Sequence, residues 1–362
     1  LSIYFLWKSQ NLLFVFLSIF TLLYGINVLI VSNFLKIPFS NSQNKFDSFN
    51  YITLSLLVFL IIAWFAFGKI KLYFKKLPIK KKISLSDIIT GGLIIAYGIY
   101  LYYEKGFRLQ GQFLEYAGKR SILEDYVALL FLIFFLYAKA SRLLVFAFLF
   151  IASSYLIAGE RMRMFIYLGA VAVYLYRHRL GLIKIALLFA YFFAEFISLS
   201  RSQTNFGLKD NGEFVSHFGA VTISSLYLND FTNNISVLAK VKYYLGILIG
   251  NAIPSSLLPN GFNIRDDLFS QSNIPGGGWV TAFILSTSNW YVYIATALII
   301  CLFIRKMMIR ESLFSNYFIF VLLITSPRWF MYSPYLIFRF AIYASIILLF
   351  IKSIETINKK YD

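Results

Sequence analysis

Four segments set arginine beside carboxylates or glycine at short spacing. In GERMRMF (159–165), Glu160, Arg161 and Arg163 fall between two apolar runs with almost no loop. Glu195 lies near the end of an apolar run and is followed six residues later by Arg201, in ISLSRSQTNF (197–206). The stretch PNGFNIRDDLFSQSNIPGGGWVT (259–281) carries Arg265, Asp266 and Asp267, then Gly276, Gly277 and Gly278 after Pro275. In TSPRWFMYSPYLIFRF (325–340), Arg328 and Arg339 flank aromatics and two prolines. Arginine presents a planar, permanently charged fork that fits phosphate and carboxylate. A glycine run lets backbone amides turn toward an anion. Carboxylates and histidine can accept a proton from a hydroxyl. There are two histidines. His217 is a candidate base, and His178 belongs to a basic RHR cluster. No HExxH pattern, cysteine pair or repeated acidic motif points to a metal, and none is expected, nor is a cofactor. Each segment has a plainer account: arginines snorkelling from helix ends, a buried ion pair that fixes packing, a hinge, or an interfacial aromatic belt.

Something must hold these residues at an apolar boundary. The chain has 362 residues, 59% hydrophobic and 14% charged, with a mean hydropathy of +0.72. One soluble core cannot take up that much apolar surface and leave a wettable exterior. Apolar runs recur at 11–35, 50–70, 87–103, 125–138, 143–158, 164–176, 182–200, 280–304, 313–326 and 336–352. The expected fold is therefore an all-α polytopic integral membrane protein of about ten transmembrane helices. The runs 125–138 and 313–326 are short for a full crossing. Sustained period-two alternation is missing, which argues against a β-barrel. The first residue is Leu1, not Met, which leaves room for a further N-terminal span.

The formal net charge of +18 is topological rather than a nucleic-acid signature. With both termini cytoplasmic, the inner segments collect 14 Lys and 5 Arg, including seven lysines between Lys69 and Lys82. The outer segments hold 7 Lys and 8 Arg. The positive-inside rule accounts for the lysines but not for eight outer arginines. Residues 1–200 then form the first seven spans, and 280–362 the last three with a cytoplasmic tail. Residues 201–279 are expected as one large extracytoplasmic loop, with 243–258 an interfacial or re-entrant helix ending at Pro254 and Pro259.

This ensemble resembles the Wzy-type polymerases of O-antigen and other oligosaccharide repeat units. The resemblance is architectural over nearly the whole chain. Locally it rests on GERMRMF, ISLSRSQTNF, NIPGGGWVTAF and SPRWFMYSPYLIFRF. Arg201 with Gly212, and Arg265 with Gly276, repeat a family pattern of arginine, ten residues, glycine. The resemblance implies a GT-C-like bundle in a bacterial inner membrane. It implies a membrane glycosyltransferase that moves a growing glycan from undecaprenyl diphosphate to the next lipid-linked unit, in lipopolysaccharide or capsule biosynthesis. Arg161, Arg163, Arg201, Arg265 and Arg328 or Arg339 would hold the leaving diphosphate, with Gly276–Gly278 supplying amides. The base stays open among His217, Asp266, Glu160 and Glu195. Implied partners are the lipid-linked oligosaccharide, the bilayer, a chain-length regulator and a flippase, with no nucleic acid. An O-antigen ligase and a lipid-linked oligosaccharide flippase or transporter are the alternatives.

Overall fold

In a bilayer core no water can satisfy a backbone amide, so an apolar run must close its hydrogen bonds within itself as a helix. The computed structural model describes residues 2–34, 42–71, 84–105, 122–137, 141–157, 161–176, 179, 181–185, 189, 217–254, 257–264, 267–268, 278–310, 312–331 and 333–361. Among the described residues the regular structure is all helical, with no strand. The helices are α1 Ser2–Lys8, α2 Leu12–Phe34, α3 Ser42–Ala63, α4 Leu85–Lys105, α5 Ile122–Tyr137, α6 Arg142–Ile157 and α7 Arg161–Tyr176. They continue as α8 His217–Asn233, α9 Val237–Gly250, α10 Val280–Ser286, α11 Trp290–Ile309, α12 Leu313–Ile324, α13 Ser326–Met331 and α14 Arg339–Tyr361. A π-helical turn, Trp64–Gly68, extends α3, and a 3-10 turn, Pro334–Leu336, precedes α14.

Among the described residues three stretches are long and apolar enough to cross a membrane: Asn50–Gly68, Trp290–Ile309 and Pro334–Ser353. Shorter apolar helices occupy Leu12–Gly25, Arg142–Tyr155, Arg163–Leu175 and Leu313–Ile324. Large apolar side chains face outward on α4 (Ile88, Leu93, Ile99), α11 (Ile294, Leu298, Leu302) and α14 (Ile346, Leu349, Phe350). Outer faces this apolar suit lipid rather than water. The chain is thus a membrane-associated protein whose described residues form an all-helical bundle.

Its core is built around Phe330 on α13. That ring meets Phe20 of α2, Phe59 of α3 and Trp279 at centroid distances of 6.2, 6.0 and 5.7 Å. Trp329 beside it is fully buried and gives its indole N–H to the Leu322 carbonyl at 3.0 Å. Some polar groups inside the bundle bond across helices, an interaction that helps to glue helices together in lipid. Ser55 Oγ of α3 meets Thr281 Oγ1 of α10 at 3.0 Å, and the Tyr293 hydroxyl of α11 donates to the Ser55 carbonyl.

Two segments differ from the expected layout. The apolar run 280–304 is not one helix: α10 stops at Ser286, and α11 starts afresh after Asn289. The Asn289 side chain accepts a hydrogen bond from the Val292 amide at 2.9 Å and so caps the second helix. Within 201–279, α8 packs along α2, α3 and α10 and buries Val221, Leu226 and Leu228. The helix expected at 243–258 instead runs Val237–Gly250, capped by Ser236, and ends ahead of Pro254.

Candidate functional site

The first turn of α5 carries Glu124 and Asp125, at the helix end that favours negative charge. Arg163 lies in the first turn of α7, the end that disfavours a cation, and it is only 4% exposed. Such a charge must be met by opposite charge. Arg163 Nη1 donates to Glu124 Oε2 at 2.6 Å, and Nε donates to Asp125 Oδ1 at 3.0 Å. The same Asp125 oxygen accepts from Arg328 Nη1 of α13, so one carboxylate bridges two arginines. Aromatic faces close the flanks. The Arg163 guanidinium lies over the Tyr155 ring of α6 at 5.9 Å, and that of Arg328 over Phe340 of α14 at 5.5 Å. Tyr155 and Tyr167 stack beneath, with centroids 5.7 Å apart.

A second arginine-centred corner adjoins this cluster. Arg339, 7% exposed, donates Nε to the Gly250 carbonyl at 2.7 Å, and its Nη2 donates to the same oxygen. Gly250 ends α9, so the cation sits on the negative end of that helix and satisfies a terminal carbonyl. Asn251 completes the corner: its Nδ2 donates to the Pro334 carbonyl at 2.9 Å, and its Oδ1 accepts from the Phe338 amide at 2.9 Å. The Tyr335 hydroxyl accepts from the Ile264 amide at 3.0 Å and donates to the Phe262 carbonyl at 3.3 Å. Tyr126, next to Asp125, stacks on Tyr343, one turn beyond Arg339, with centroids 6.0 Å apart and planes at 21°. Arg163 and Arg328 thus share the Glu124–Asp125 pair, and Arg339 stands at the adjoining corner, linked to it through the Tyr126–Tyr343 stack and the Arg328–Phe340 contact.

Gly246 explains how the 257–264 turn reaches this corner. A Cβ on Gly246 would lie 1.9 Å from the Phe262 carbonyl oxygen. Gly246→Ala must push backbone from backbone. It is expected to cost about 1–3 kcal/mol, as overpacking does, read as a lower unfolding midpoint in detergent. Nearby, the Tyr243 hydroxyl donates to Asp267 Oδ2 at 2.8 Å. Burial first, and the Asp267 carboxylate second, push that hydroxyl up to about 12, so it remains the donor at physiological pH.

Of the residues expected from sequence, Arg163, Arg328 and Arg339 meet at this end, as described. Gly278 lies just before α10, where a Cβ would come within 2.6 Å of the Phe283 ring. Arg161 and His217 open α7 and α8, and only their backbone is described. Glu160, Glu195, Arg201, Arg265, Asp266, Gly276 and Gly277 lie outside the described residues. Glu124 and Asp125 were not among the expected site residues. Their signal was two adjacent acids opening an apolar run, on the same side as the unexplained arginines. Among the described residues no group of three metal-ligating side chains occurs.

The opposite end of the bundle gathers different residues. Asn11 Nδ2, before α2, bonds the Phe67 and Ile70 carbonyls at 3.1 and 3.0 Å and reaches Met308 Sδ at 3.2 Å. Lys184 Nζ donates to the Leu6 carbonyl of α1 at 2.6 Å. No protein-family model matches this chain, and no curated protein or solved structure matches it either.

Proposed function

We propose that this protein is a bacterial inner-membrane glycosyltransferase that polymerises undecaprenyl-diphosphate-linked oligosaccharide repeat units at the outer face of the membrane. The observation that carries the proposal is the gathering of three arginines from separate junctions of the chain at one end of the bundle, Arg163 and Arg328 on the Glu124–Asp125 pair and Arg339 at the adjoining corner. Arginine forks gathered in a tyrosine-lined, apolar setting favour an anion such as a diphosphate. Charge-assisted hydrogen bonds from arginine strengthen as the diphosphate departs and its negative charge grows. Arg201 and Arg265 would extend this cation set, and Asp266, His217, Glu195 or Glu160 would take the acceptor's proton.

The proposed topology has about ten spans and cytoplasmic termini. It is supported by the partition of contacts between the two ends. Asn11, Ile70, Lys184 and Met308 meet at one end, and all belong to segments assigned inside from their lysines. Glu124, Asp125, Arg163 and Arg328 meet at the other, and all were assigned outside. A second reading, transport of the same lipid-linked glycan, is favoured by one observation. The break between α10 and α11 resembles the discontinuous helices of transporters.

Deleting the gene in its host and running surface polysaccharide on a gel separates these readings. A polymerase leaves core bearing a single repeat unit, and the ladder returns on complementation. Loss of the single-unit band as well indicates a flippase or a ligase. Polymer accumulating on the lipid carrier then marks a ligase.

A further inference from the structure

The last turns of α11 form a surface feature that the proposed chemistry does not use. Leu302, Arg305, Lys306, Ile309 and Arg310 line a shallow depression at the end of the bundle away from the arginine–carboxylate cluster. Spacings of three and four residues put Leu302, Arg305 and Ile309 on one face of the helix, and all five residues are exposed. The same face continues along the helix as Leu298 and Ile294, also exposed. From Ile294 to Arg305 is eleven residues of helix, about 16 Å, close to half of a ~30 Å hydrocarbon slab. Glu311 is the single acid in the sequence between residues 268 and 354, so the cations outnumber the local acids three to one.

We propose that this face of α11 is a binding site for one anionic phospholipid. The phosphate sits among Arg305, Lys306 and Arg310, and an acyl chain lies along Leu302, Leu298 and Ile294. Charge complementarity selects the headgroup, and a leaflet-length apolar stripe directly beneath it selects a lipid over a soluble anion. A solvated basic loop would supply the first without the second. Topological lysines need only lie near the surface. Here Arg305 and Lys306 are held by the helix above the stripe, and Arg310 sits at its C-cap. The inference is independent of the glycan chemistry and holds whichever leaflet this end faces.

The test is mass spectrometry of the intact, detergent-solubilised full chain, titrated with phosphatidylglycerol, phosphatidylcholine or inorganic phosphate. One phosphatidylglycerol is expected to be retained per chain, with phosphatidylcholine washed out. Each of Arg305→Gln, Lys306→Gln and Arg310→Gln is expected to weaken retention by about fivefold, since each basic residue near an anionic surface contributes on that scale. Leu302→Asn, which keeps every charge, is expected to weaken it too. Unfolding midpoints without lipid should stay at the wild-type value, because all four side chains are exposed. Equal retention of both lipids, or wild-type retention by the three glutamine variants, overturns the proposal. Displacement of phosphatidylglycerol by equimolar inorganic phosphate also overturns it, since the site would then be a phosphate site rather than a lipid site.

Discussion

Arg163→Ala is expected to be the most destabilising single substitution in the arginine–carboxylate cluster, at about 3–5 kcal/mol, because it takes the guanidinium away from the buried Glu124 and leaves Asp125 with Arg328 alone. Glu124 Oε2 and Asp125 Oδ1 both accept from the Arg163 guanidinium, whose side chain is 5% exposed. Arg328→Ala is expected to cost less. Its side chain is 19% exposed, and Asp125 keeps its second arginine. Fluorescence-detected gel filtration of heated, detergent-solubilised variants reads the order directly. A variant combining Arg163→Leu with Glu124→Leu and Asp125→Asn should recover part of the loss, since the two acids that Arg163 pairs with lose their charge together with it, and the rest of the loss falls on Arg328, which gives up Asp125. An unchanged midpoint for Arg163→Ala would mean that the cluster is solvated and is not the buried network described above. Comparing the two arginines also separates structure from function. If Arg328→Ala keeps its midpoint but loses polymer synthesis, the exposed arm of the network faces the substrate.

The helices themselves were plain in the sequence wherever an apolar run lay between polar clusters. Apolar runs at 11–35, 143–158 and 313–326 mark α2, α6 and α12 to within a few residues. Periodicity failed where a break left hydropathy untouched. Thr287, Ser288 and Asn289 interrupt α10 and α11 inside an otherwise apolar stretch, yet a capping asparagine is itself a helix-start signal. The cluster was half visible. Arginines expected on the outer face stood out because the rule that accounts for the lysines does not explain them. Their partners did not, because Glu124 and Asp125 open a span as ordinary dipole-favoured acids do. A buried arginine demands a carboxylate, but sequence alone does not say which one. Asp125 lies 38 residues from Arg163 and 203 from Arg328, so only the fold makes the match. The corner at Arg339 was hidden for a related reason. Its acceptor is a backbone carbonyl, and no residue type at position 250 announces that role.

Arg339 is the residue on which the proposed function can be tested most sharply, because its two duties come apart under conservative replacement. A guanidinium has five N–H donors. At Arg339 one on Nε and one on Nη2 go to the Gly250 carbonyl, and among the described residues no other acceptor takes the rest. Arg339→Lys keeps the charge and can still give one hydrogen bond to the end of α9, so the corner made by Asn251 and Tyr335 should stay assembled. What lysine cannot supply is the second arm of the fork for an oxygen of a departing diphosphate. Losing one donor of that kind in a water-poor site typically costs about 10²–10³-fold in rate. Arg339→Lys is therefore expected to show a near wild-type unfolding midpoint, with polymer synthesis from purified lipid-linked repeat units reduced by about that factor. Arg339→Gln should lose both, because the charge that neutralises the end of α9 is gone. If Arg339→Lys polymerises at the wild-type rate while Arg339→Gln unfolds early, Arg339 is only a cap for α9. The diphosphate must then be sought at Arg328 and at the arginines of the 201–279 segment.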